Sequence, residues 1–515
     1  MDKKTIDSIL SIPTFYSGRS IFITGGLGFL GKVLIEKLLR SCPDTQEIFL
    51  LIRPKKNVCI EERLQQILTN PLFDRLRSEQ PHCFEKLIPL NGNIEMEGLG
   101  LSSDDKNTLI KKVSIIFHVA ANVRFDITLK KAVLINVRST RDICILGKSL
   151  KNLVALVHVS STFSQIDKPV IDEIIYPYME VDWRKTIQVA ETIDDYVFEV
   201  FRSKYLGTMP NQYIFTKKLA EQVINDYSES LPCVICRPSI ITPPLNEPIK
   251  GWLDNFNGPV GLMVGCGKGI IRVLYYNSSL RDNYVPIDIV VKAMIVAGWK
   301  RGVMNKKNDT QNFHPPVYNC STNHSTNPSR YALMKISEKI IEENPLEDII
   351  WPPGVITTKS YFFYRILVLL LHIIPAIFID GLLRIASKSP RLLRQQKKIF
   401  ITSLHLAHFS LNEWNFRNQK LLSLSDEVPP SSQQDFGFAK DLHNYDKELY
   451  CRNNIKASKF YLLNENTDRQ DAAKFHYKRM LWIDRVVKML IGIFFIRIIW
   501  NRFMNEIDCS RDNLV

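Results

Sequence analysis

Three glycines stand between an apolar strand and an amphipathic helix, and they limit the folds open to this chain more than any other feature. They are Gly25, Gly28 and Gly31. The preceding stretch, 20–23, is short and rich in β-branched and aromatic residues, which is typical of a buried parallel strand. Residues 32–40 carry apolar side chains at helical spacing. A strand, a glycine turn and a helix in this order predict a dinucleotide-binding unit, and the alternative is a plain structural turn.

Each glycine of such a unit has its own purpose. Gly25 permits the tight turn, Gly28 lets the backbone approach a pyrophosphate, and Gly31 allows the helix to pack closely on the strand. The first N–H groups of the helix then face the anion. The predicted cofactor contacts in this segment are Thr24, Gly25, Gly28, Phe29, Leu30 and Gly31.

A second predicted strand, 47–52, ends in Arg53. In a dinucleotide-binding unit this position lies beside the adenosine ribose, where an acidic residue selects the 2′-hydroxyl and arginine suits a 2′-phosphate. Arg53, with Lys55 and Lys56 close by, therefore favours NADPH. The alternative is an ordinary solvated basic loop.

Residues 210–225 form a second informative stretch, which the pattern predicts to be a helix. Tyr213 and Lys217 are four residues apart and therefore share one side of it. A tyrosine ordinarily has a pKa of about 10, and we expect the neighbouring ammonium to lower it, making Tyr213 a general acid. Lys217 can also hydrogen-bond a nicotinamide ribose. The alternative is an ordinary surface pair.

The apolar stretch 153–159 predicts another strand, followed directly by two serines. Hydroxyls at the carboxyl end of a parallel strand face the ligand crevice, so one of them can donate to a developing oxyanion. We favour Ser161, with Ser160 second; the alternative is a turn of small polar residues. Together the motifs predict that hydride leaves a nicotinamide while Tyr213 protonates the oxygen that forms.

The overall composition narrows the class of protein and its partners. A chain of 515 residues that is 45% apolar is long enough for two or more domains with substantial cores. The formal net charge of +14 favours acidic partners. Zinc-finger and RNA-recognition signatures are lacking, so we expect a membrane surface and a phosphate-rich substrate, not nucleic acid. The ten scattered cysteines lack metal-site spacing and are expected to be reduced thiols in the cytosol.

We predict three regions along the chain. Residues 1–300 form the cofactor-binding catalytic domain, because strand and helix patterns alternate there. This domain is expected to carry acyl-binding insertions, and the loop-rich region 240–285 is expected to build the acyl-binding side. Residues 301–360 form a connecting, substrate-side region, and residues 361–515 form a helical C-terminal domain. That last region contains two apolar runs, 366–379 and 486–500, which are expected to span, re-enter or lie on a membrane, with buried core helices as the alternative.

Further signals bear on location. The basic stretch 391–398 suits anionic headgroups. The opening residues Met1–Thr5 lack the apolar core of a signal peptide. We therefore expect a membrane-associated protein with its catalytic domain facing the cytosol.

Several blocks of the sequence resemble the fatty acyl-CoA reductase family, an extended branch of the short-chain dehydrogenase/reductases with a male-sterility-type C-terminal domain. Residues 24–32 are similar to the family's opening Thr-Gly-x-x-Gly-Phe-Leu-Gly-Lys, and 51–54 to its Leu-x-Arg-Pro block. Residues 118–121 resemble its His-x-Ala-Ala block and 157–161 its Val-His-Val-Ser-Thr strand. The family's Tyr-x-x-x-Lys pair falls on 213–217.

This resemblance implies an α/β fold: a doubly wound parallel Rossmann sheet, followed by the mainly helical, membrane-associated domain. It adds Asn93, Ala120, Ala121 and Asn136 to the expected cofactor contacts. Asn93 stands where the family has aspartate, near the adenine, and Phe163 replaces a usual tyrosine.

The resemblance also implies an activity: NADPH-dependent reduction of a long-chain fatty acyl-CoA to a fatty alcohol, in two hydride steps through an aldehyde, with release of coenzyme A. The expected partners are the long-chain acyl-CoA and membrane lipids. We expect the endoplasmic reticulum in preference to the peroxisome. Two other readings remain open: another extended reductase acting on a sterol or sugar nucleotide, and a catalytically idle membrane sensor of lipid or nucleotide.

Overall fold

The computed structural model describes residues 11–55, 58–304, 314–322 and 327–512. Lys56, the opening residues Met1–Thr5 and the last three residues of the C-terminal region lie outside this description. The strands, numbered in chain order, are β1 Ser20–Thr24, β2 Ile48–Ile52, β3 Leu87–Asn91, β4 Val113–His118, β5 Ala155–Val159, β6 Val170–Ile171, β7 Cys233–Pro238, β8 Ile240–Thr242, β9 Val273–Tyr275, β10 Tyr284–Pro286, β11 Val317–Cys320, β12 Ile356–Thr358 and β13 Asn415–Phe416.

Seven of these strands form one parallel sheet in the order β11-β7-β5-β4-β1-β2-β3. The strand order reverses between β1 and β4, and a crevice for ligands opens at the carboxyl ends of the strands at such a point. The observed sheet confirms the predicted doubly wound architecture.

The helices through the sheet region, also in chain order, are α1 Ile12–Tyr16, α2 Phe29–Ser41, α3 Ile60–Leu68, α4 Asp74–Glu79, α5 Ser103–Lys112, α6 Leu129–Val133, α7 Ser139–Ser149, α8 Trp183–Thr192, α9 Asp195–Val200, α10 Arg202–Leu206, α11 Gln212–Tyr227, α12 Pro259–Gly267 and α13 Ile287–Val303. Those that follow are α14 Arg330–Glu343, α15 Tyr361–Val368, α16 Ile374–Ile385, α17 Leu392–His405, α18 Ala407–Leu411, α19 Gln419–Asp426, α20 Gln433–Phe436, α21 Ala439–His443, α22 Lys447–Ala457 and α23 Gln470–Asp512.

Both faces of the sheet are covered by helices, and this explains why its central strands are apolar throughout. Neighbouring residues of β5 point to opposite faces. Val157 packs against Gly298 of α13, whereas Leu156 packs against Gly147 of α7. Burial on both faces requires continuous apolar strands, and β1, β2, β4 and β5 are buried along their whole length.

The chain divides into two compact units that interleave along the sequence. The first contains the sheet and comprises the described residues of Met1–Asp254, Ser279–Arg330 and His408–Asn454. The second comprises the described residues of Asn255–Ser278, Tyr331–Ala407 and Ile455–Val515. The linear division at 300 and 360 stays a prediction from sequence.

One helix in the described part of the chain is long and apolar enough to cross a membrane, judged by its length and composition. It runs without a break from Tyr361 to Ile385 and consists of α15, the π-helical turn Leu369–Ile373 and α16. Its most apolar window has a mean hydropathy of 2.5, and 22% of that window is buried. This helix contains the first predicted apolar run. The second run, 486–500, lies within α23 and does not meet the same criterion. Its apolar side chains from Met489 to Trp500 are nevertheless exposed.

Candidate functional site

The glycine turn between β1 and α2 is closed so tightly that side chains do not fit. Gly25 has a φ of +76°, and a Cβ there would lie 2.7 Å from the backbone nitrogen of Ala120. A Cβ on Gly31 would lie 2.2 Å from the carbonyl oxygen of Gly25. Gly28, in contrast, is exposed and caps the N-terminus of α2. The turn therefore presents bare backbone at the start of a helix, where unpaired N–H groups bind anions.

The carboxyl ends of β1 and β4 are joined beneath this turn. The Thr24 hydroxyl shares a hydrogen bond of 2.8 Å with Nδ1 of His118 and accepts one of 3.3 Å from the N–H of Ala120. The other ring nitrogen of His118 lies 3.1 Å from the Thr140 hydroxyl. Ala120 and Ala121, both predicted cofactor contacts, are half-buried at this edge of the sheet.

The first turn of α2 contacts a loop that the sequence did not place there. Phe29 stacks on Trp252 with the ring centroids 5.5 Å apart, and Lys32 forms an ion pair with Asp254. Leu30, the next predicted contact, is buried in the core. Trp252 and Lys32 are thus neighbours of the glycine turn that motif reading did not include among the contacts.

Arg53 and Asn93 follow the ends of β2 and β3. Arg53 is exposed at the end of β2, and within the described residues its guanidinium makes no hydrogen bond or ion pair; its carbonyl accepts one from Arg63. Asn93 is held in a turn, where its side-chain oxygen accepts from the N–H of Glu95 at 3.1 Å. The aspartate expected at this position would accept the same bond, so asparagine preserves the turn. The second polar group of the side chain is an NH2 donor in asparagine, where aspartate has an acceptor oxygen.

The predicted proton-transfer residues come together at the end of β5. Asn211 caps α11 by accepting from the N–H of Ile214 at 3.0 Å, which places Tyr213 in the first turn. Ser161 lies close enough to the Tyr213 phenol to lower its pKa. The Ser161 hydroxyl itself accepts from the N–H of Phe163 at 3.2 Å and donates to the carbonyl oxygen of Pro238 at 3.5 Å. One turn further, Nζ of Lys217 donates to the carbonyl oxygen of Val159 at 2.7 Å. This arrangement puts a phenol, a hydroxyl and a buried ammonium side by side at the open edge of the sheet.

The expected direction of the Tyr213 pKa is wrong. Burial raises the pKa of Tyr213 above its ordinary value, and the nearby Ser161 hydroxyl acts in the lowering direction. Burial also lowers the pKa of Lys217 to about 8, opposed by the charge of Glu221. The spacing rule gave the shared side of the helix correctly, but it could not show how far the folded chain covers the two groups: Lys217 is buried and Tyr213 is half-buried.

Ser160 and Ser161 have different partners. The Ser160 hydroxyl donates to the carboxylate of Glu221, as do Ser164 and the side-chain amide of Gln165. Arg237 completes this cluster with two further bonds to Glu221, at 2.8 and 2.7 Å. Ser160 is therefore engaged away from Tyr213, and of the two serines only Ser161 lies beside the phenol.

The ion pair within this cluster is fully buried on both sides. Burial by itself raises the pKa of Glu221, but Arg237 and the neighbouring donors hold it below its ordinary value. A buried carboxylate of this kind is stable only with such a complete set of partners. The cluster joins α11, β7 and the loop after β5 directly behind the candidate site.

Asn136, a predicted cofactor contact, connects two elements near the site. It lies in a π-helical turn, Leu134–Arg138. Its side chain accepts from the N–H of Asn122 at 2.9 Å and donates to the hydroxyl of Thr216 at 2.9 Å. Asn136 thereby fixes the loop after β4 against α11, next to Lys217.

Two buried histidines lie under Lys217. The rings of His118 and His158 are 5.3 Å apart, and both ring nitrogens of His158 lack a partner among the described residues. Burial lowers the pKa of His118 to about 3 and that of His158 well below its ordinary value, and the charge of Lys217 acts in the same direction. Both rings are therefore neutral in the physiological range.

A stretch far away in sequence also reaches the site. Residues 408–416 belong to the same compact unit as the sheet. Phe163 lies against three aromatic rings of this stretch, with centroid distances between 5.2 and 5.9 Å. The stretch is visibly aromatic in the sequence, but no local pattern gives its position.

Known proteins resemble this chain over nearly its whole length. Two family models, both described as male sterility protein, match residues 23–294 and 371–465. Fatty acyl-CoA reductase 1 of Homo sapiens is 35% identical over 505 residues, covering 98% of this chain and 95% of that protein. The Xenopus laevis protein of the same name is 34% identical over 505 residues, with the same coverage. Fatty acyl-CoA reductase 2 of Mus musculus is 34% identical over 502 residues, covering 97% and 95%.

Solved structures give the same fold. The reductase domain of a nonribosomal peptide synthetase from Mycobacterium tuberculosis superposes with a TM-score of 0.56 at 16% identity, covering 89% of this chain and 96% of that one. The terminal R domain from the myxalamid biosynthetic pathway has a TM-score of 0.55 at 17% identity, covering 87% and 93%. Both likenesses support the extended Rossmann architecture.

Proposed function

Since the chain belongs to the fatty acyl-CoA reductase family, we propose that it reduces a long-chain fatty acyl-CoA to the fatty alcohol with NADPH, through an aldehyde and with release of coenzyme A. The observation that carries this proposal is the meeting of Tyr213, Ser161 and Lys217 at the carboxyl edge of the sheet. The chain is an oxidoreductase with a nicotinamide cofactor. The choice of NADPH and the two-step course are our proposal.

The residues of the turn fit a dinucleotide phosphate. Cβ atoms at Gly25 or Gly31 would collide with backbone, so these glycines hold the turn tight and leave Gly28 exposed at the helix N-terminus. We assign the diphosphate to this end of α2. Arg53, exposed and without a charged partner in the described chain, is assigned to the ribose 2′-phosphate. Thr24, Phe29, Leu30, Asn93, Ala120, Ala121 and Asn136 are assigned to cofactor contact or its support.

When bound, NADPH supplies the hydride for each of the two steps. In the first step, Ser161 and Tyr213 donate hydrogen bonds to the thioester oxygen as charge develops on it. Collapse of this adduct breaks the carbon–sulfur bond and expels coenzyme A as the thiolate, which leaves the aldehyde. In the second step, Tyr213 gives its proton to the alkoxide oxygen, and the ammonium of Lys217 stabilises the phenolate that remains.

The state of these groups suits this division of work. The raised pKa of Tyr213 keeps the phenol protonated at neutral pH, as a proton donor must be. The ammonium of Lys217 is fixed by the Val159 carbonyl, so little reorganisation is needed when negative charge appears nearby. Ser160 is bound to Glu221, so we assign the oxyanion contact to Ser161.

The experiment is turnover of acyl-CoA by the full chain in membranes, comparing wild type with Tyr213→Phe. The variant is expected to lose roughly 10²- to 10⁴-fold in alcohol formation, because the proton donor is gone. NADPH binding, followed by its fluorescence, is expected to remain. Tyr227→Phe, at the other end of α11, is the matched control and is expected to be fully active.

Wild-type activity in Tyr213→Phe would contradict the assigned role. Turnover of sterol or sugar nucleotide alone, without acyl-CoA reduction, would contradict the substrate class. Binding of NADPH without any turnover by wild type would favour an idle sensor.

We also propose that the helix Tyr361–Ile385 attaches the protein to a membrane. Its apolar side chains Phe362, Leu369, Ile377 and Phe378 are exposed, which is unlike a core helix. Basic residues follow at 391–398, and anionic headgroups attract such clusters. The substrate chain partitions into the same lipid. The catalytic unit is assigned to the cytosolic side, at the endoplasmic reticulum in preference to the peroxisome, and the nine described cysteines are free thiols, as in reducing compartments.

Vesicle flotation tests this attachment. Wild type is expected to float with phosphatidylcholine vesicles, and more completely when phosphatidylserine is included. The double change Phe362→Ser with Phe378→Ser is expected to weaken flotation, whereas Tyr196→Ser, which alters an equally exposed aromatic residue elsewhere, is not. Flotation of the double variant at the wild-type level would contradict the proposal.

A further inference from the structure

Aromatic side chains from distant parts of the sequence form a continuous surface beside Tyr213. Phe125 lies edge-to-face with the Tyr213 ring, at a centroid distance of 6.0 Å. Phe409 stacks on Phe125 at 5.8 Å and meets Phe163 edge-to-face at 5.5 Å. Tyr213 thus lies beside a connected set of three aromatic rings. One of the three, Phe409, comes from a distant part of the sequence.

The stretch that supplies Phe409 is held firmly in place. Arg330 is buried and donates to the carbonyl oxygens of Phe409, Ser410 and Asn412 at 2.6 to 3.0 Å. The same guanidinium pairs with Asp282. Because the backbone of this stretch is fixed at three of its four residues between 409 and 412, the Phe409 ring is positioned before any ligand arrives.

A second set of contacts supports the rings from behind. Trp414 and Phe416 are buried and pack edge-to-face on Phe163. The indole N–H of Trp414 donates to the carbonyl oxygen of Ile166 at 3.1 Å, and β13 pairs with β6. The surface therefore has a closed, well-packed back.

Its front is open. Phe125, Phe163 and Phe409 are only half-buried, although the rings behind them are covered. Rigid apolar rings that stay partly exposed beside a reactive group can bind an apolar part of the ligand. Such binding is favourable because it removes both the rings and the apolar part of the ligand from water. No charged or hydrogen-bonding group of these three side chains competes for a polar ligand.

We propose that Phe125, Phe163 and Phe409 form the subsite for the alkyl chain next to the reacting carbonyl, and that Phe409 is a specificity-determining residue. The inference rests on the proposed function, which supplies an acyl substrate at Tyr213. It assigns to the returning stretch 408–416 a direct part in substrate binding. Phe409 lies beyond Phe125 as seen from Tyr213, so only methylenes past the first few reach its ring. Acyl chains too short to reach Phe409 lose this contact, and selection by alkyl length follows.

Binding of non-reducible thioethers tests the subsite without requiring turnover. We would measure Kd for S-hexadecyl-CoA and for free coenzyme A with the full-length protein. Phe409→Ala is expected to raise Kd for the thioether about tenfold and to leave Kd for coenzyme A unchanged. Phe409→Leu, which keeps an apolar side chain, is expected to restore most of the affinity.

The matched control is Phe84→Ala, which removes a half-buried ring packed edge-to-face on Phe73 next to β3, at the opposite edge of the sheet. It is expected to leave both constants unchanged. If Phe409→Ala does not fold, Phe125→Ala is measured in its place. It is expected to bind the thioether more weakly and to leave Kd for coenzyme A unchanged. Equal thioether affinity in wild type and the folded variant overturns the subsite.

Turnover separates this inference from the function on which it rests. Across hexanoyl- to octadecanoyl-CoA, Phe409→Ala is expected to flatten the dependence of kcat/KM on chain length while kcat with the best substrate changes little. If wild type reduces no acyl-CoA, the proposed function fails, and the thioether constants still decide whether the rings bind an alkyl chain. An unchanged length dependence in a variant that reduces acyl-CoA overturns the role of Phe409 alone.

Discussion

Two glycines of the same turn are expected to fail in different ways when each is changed to alanine. A Cβ at Gly31 would lie 2.2 Å from the carbonyl oxygen of Gly25 and 2.6 Å from the Cα of Gly26. A Cβ at Gly28 would lie 3.3 Å from the same oxygen, at a φ of −78° that any residue adopts. Gly31→Ala is therefore expected to disrupt the packing of α2 on β1. Gly28→Ala is expected to leave that packing intact and to obstruct the ligand-facing backbone of the turn.

The magnitudes follow from these distances. An ordinary contact begins near 3.4 Å, so Gly31→Ala requires α2 to move by about 1 Å from the turn, and overpacking of this kind costs about 1–3 kcal/mol or more. At about 1–2 °C per kcal/mol for a folded unit of this size, the thermal midpoint should fall by roughly 1–5 °C. Gly28→Ala needs a shift of only a few tenths of an ångström, and its midpoint should stay close to wild type. Its methyl group instead stands where we assign the diphosphate.

The assay combines thermal unfolding without cofactor and NADPH titration for each variant. Gly28→Ala is expected to keep its midpoint and to weaken NADPH binding about tenfold, a loss of about 1.4 kcal/mol. Gly31→Ala is expected to lose stability first and affinity as a consequence. A Gly31→Ala protein as stable as wild type would refute the packing argument, and wild-type affinity in Gly28→Ala would refute the placement of the diphosphate.

Three further outcomes follow from single side chains. Arg53→Asp is expected to raise KM for NADPH about tenfold, whereas KM for NADH is expected to stay the same or to fall, as measured by initial rates. Equal effects on the two KM values would argue against a 2′-phosphate contact. Because burial lowers the Lys217 pKa to about 8 and the ammonium is the working form, kcat/KM should fall as pH rises through about 8; a profile flat to about pH 10 would contradict this. Glu221→Gln leaves the buried Arg237 without its counter-charge and is expected to cost about 3–5 kcal/mol in the free energy of unfolding, so an undiminished urea midpoint would show the pair to be dispensable.

The parts of the structure that depend on neighbours in sequence were predictable. Strand β1, the glycine turn and α2 follow from hydrophobic periodicity and backbone freedom over about 20 residues. The helix predicted over 210–225 is observed as α11 with Asn211 as its cap, and the spacing of four residues puts Tyr213 and Lys217 on one side. The preference for Ser161 over Ser160 agrees with the place of its hydroxyl beside the phenol, although the role itself stays a prediction.

The remaining features depend on contacts between distant segments, and no local pattern encodes them. Phe409 reaches the rings beside Tyr213 from about 200 residues downstream, held there by Arg330. The pKa of Tyr213 is set by burial under the assembled chain, so reasoning from the nearby ammonium gave the wrong direction. Both require knowledge of which surfaces become covered, and that is a property of the tertiary structure.

Helix α11 shows why the local motif and the tertiary cluster act together. Tyr213, Lys217 and Glu221 are spaced by four residues and so form one stripe along the helix. At the bottom of the stripe Glu221 is clamped by Arg237, and one turn above Lys217 is bonded to the end of β5. These two anchors fix the rotation of the helix about its own axis, which in turn fixes the direction of the phenol at the top. A change at Glu221 is therefore expected to lower the stability of the fold, a change at Lys217 to lower both stability and activity, and a change at Tyr213 to lower activity alone. A Tyr213→Phe protein that is less stable than Glu221→Gln would contradict this order.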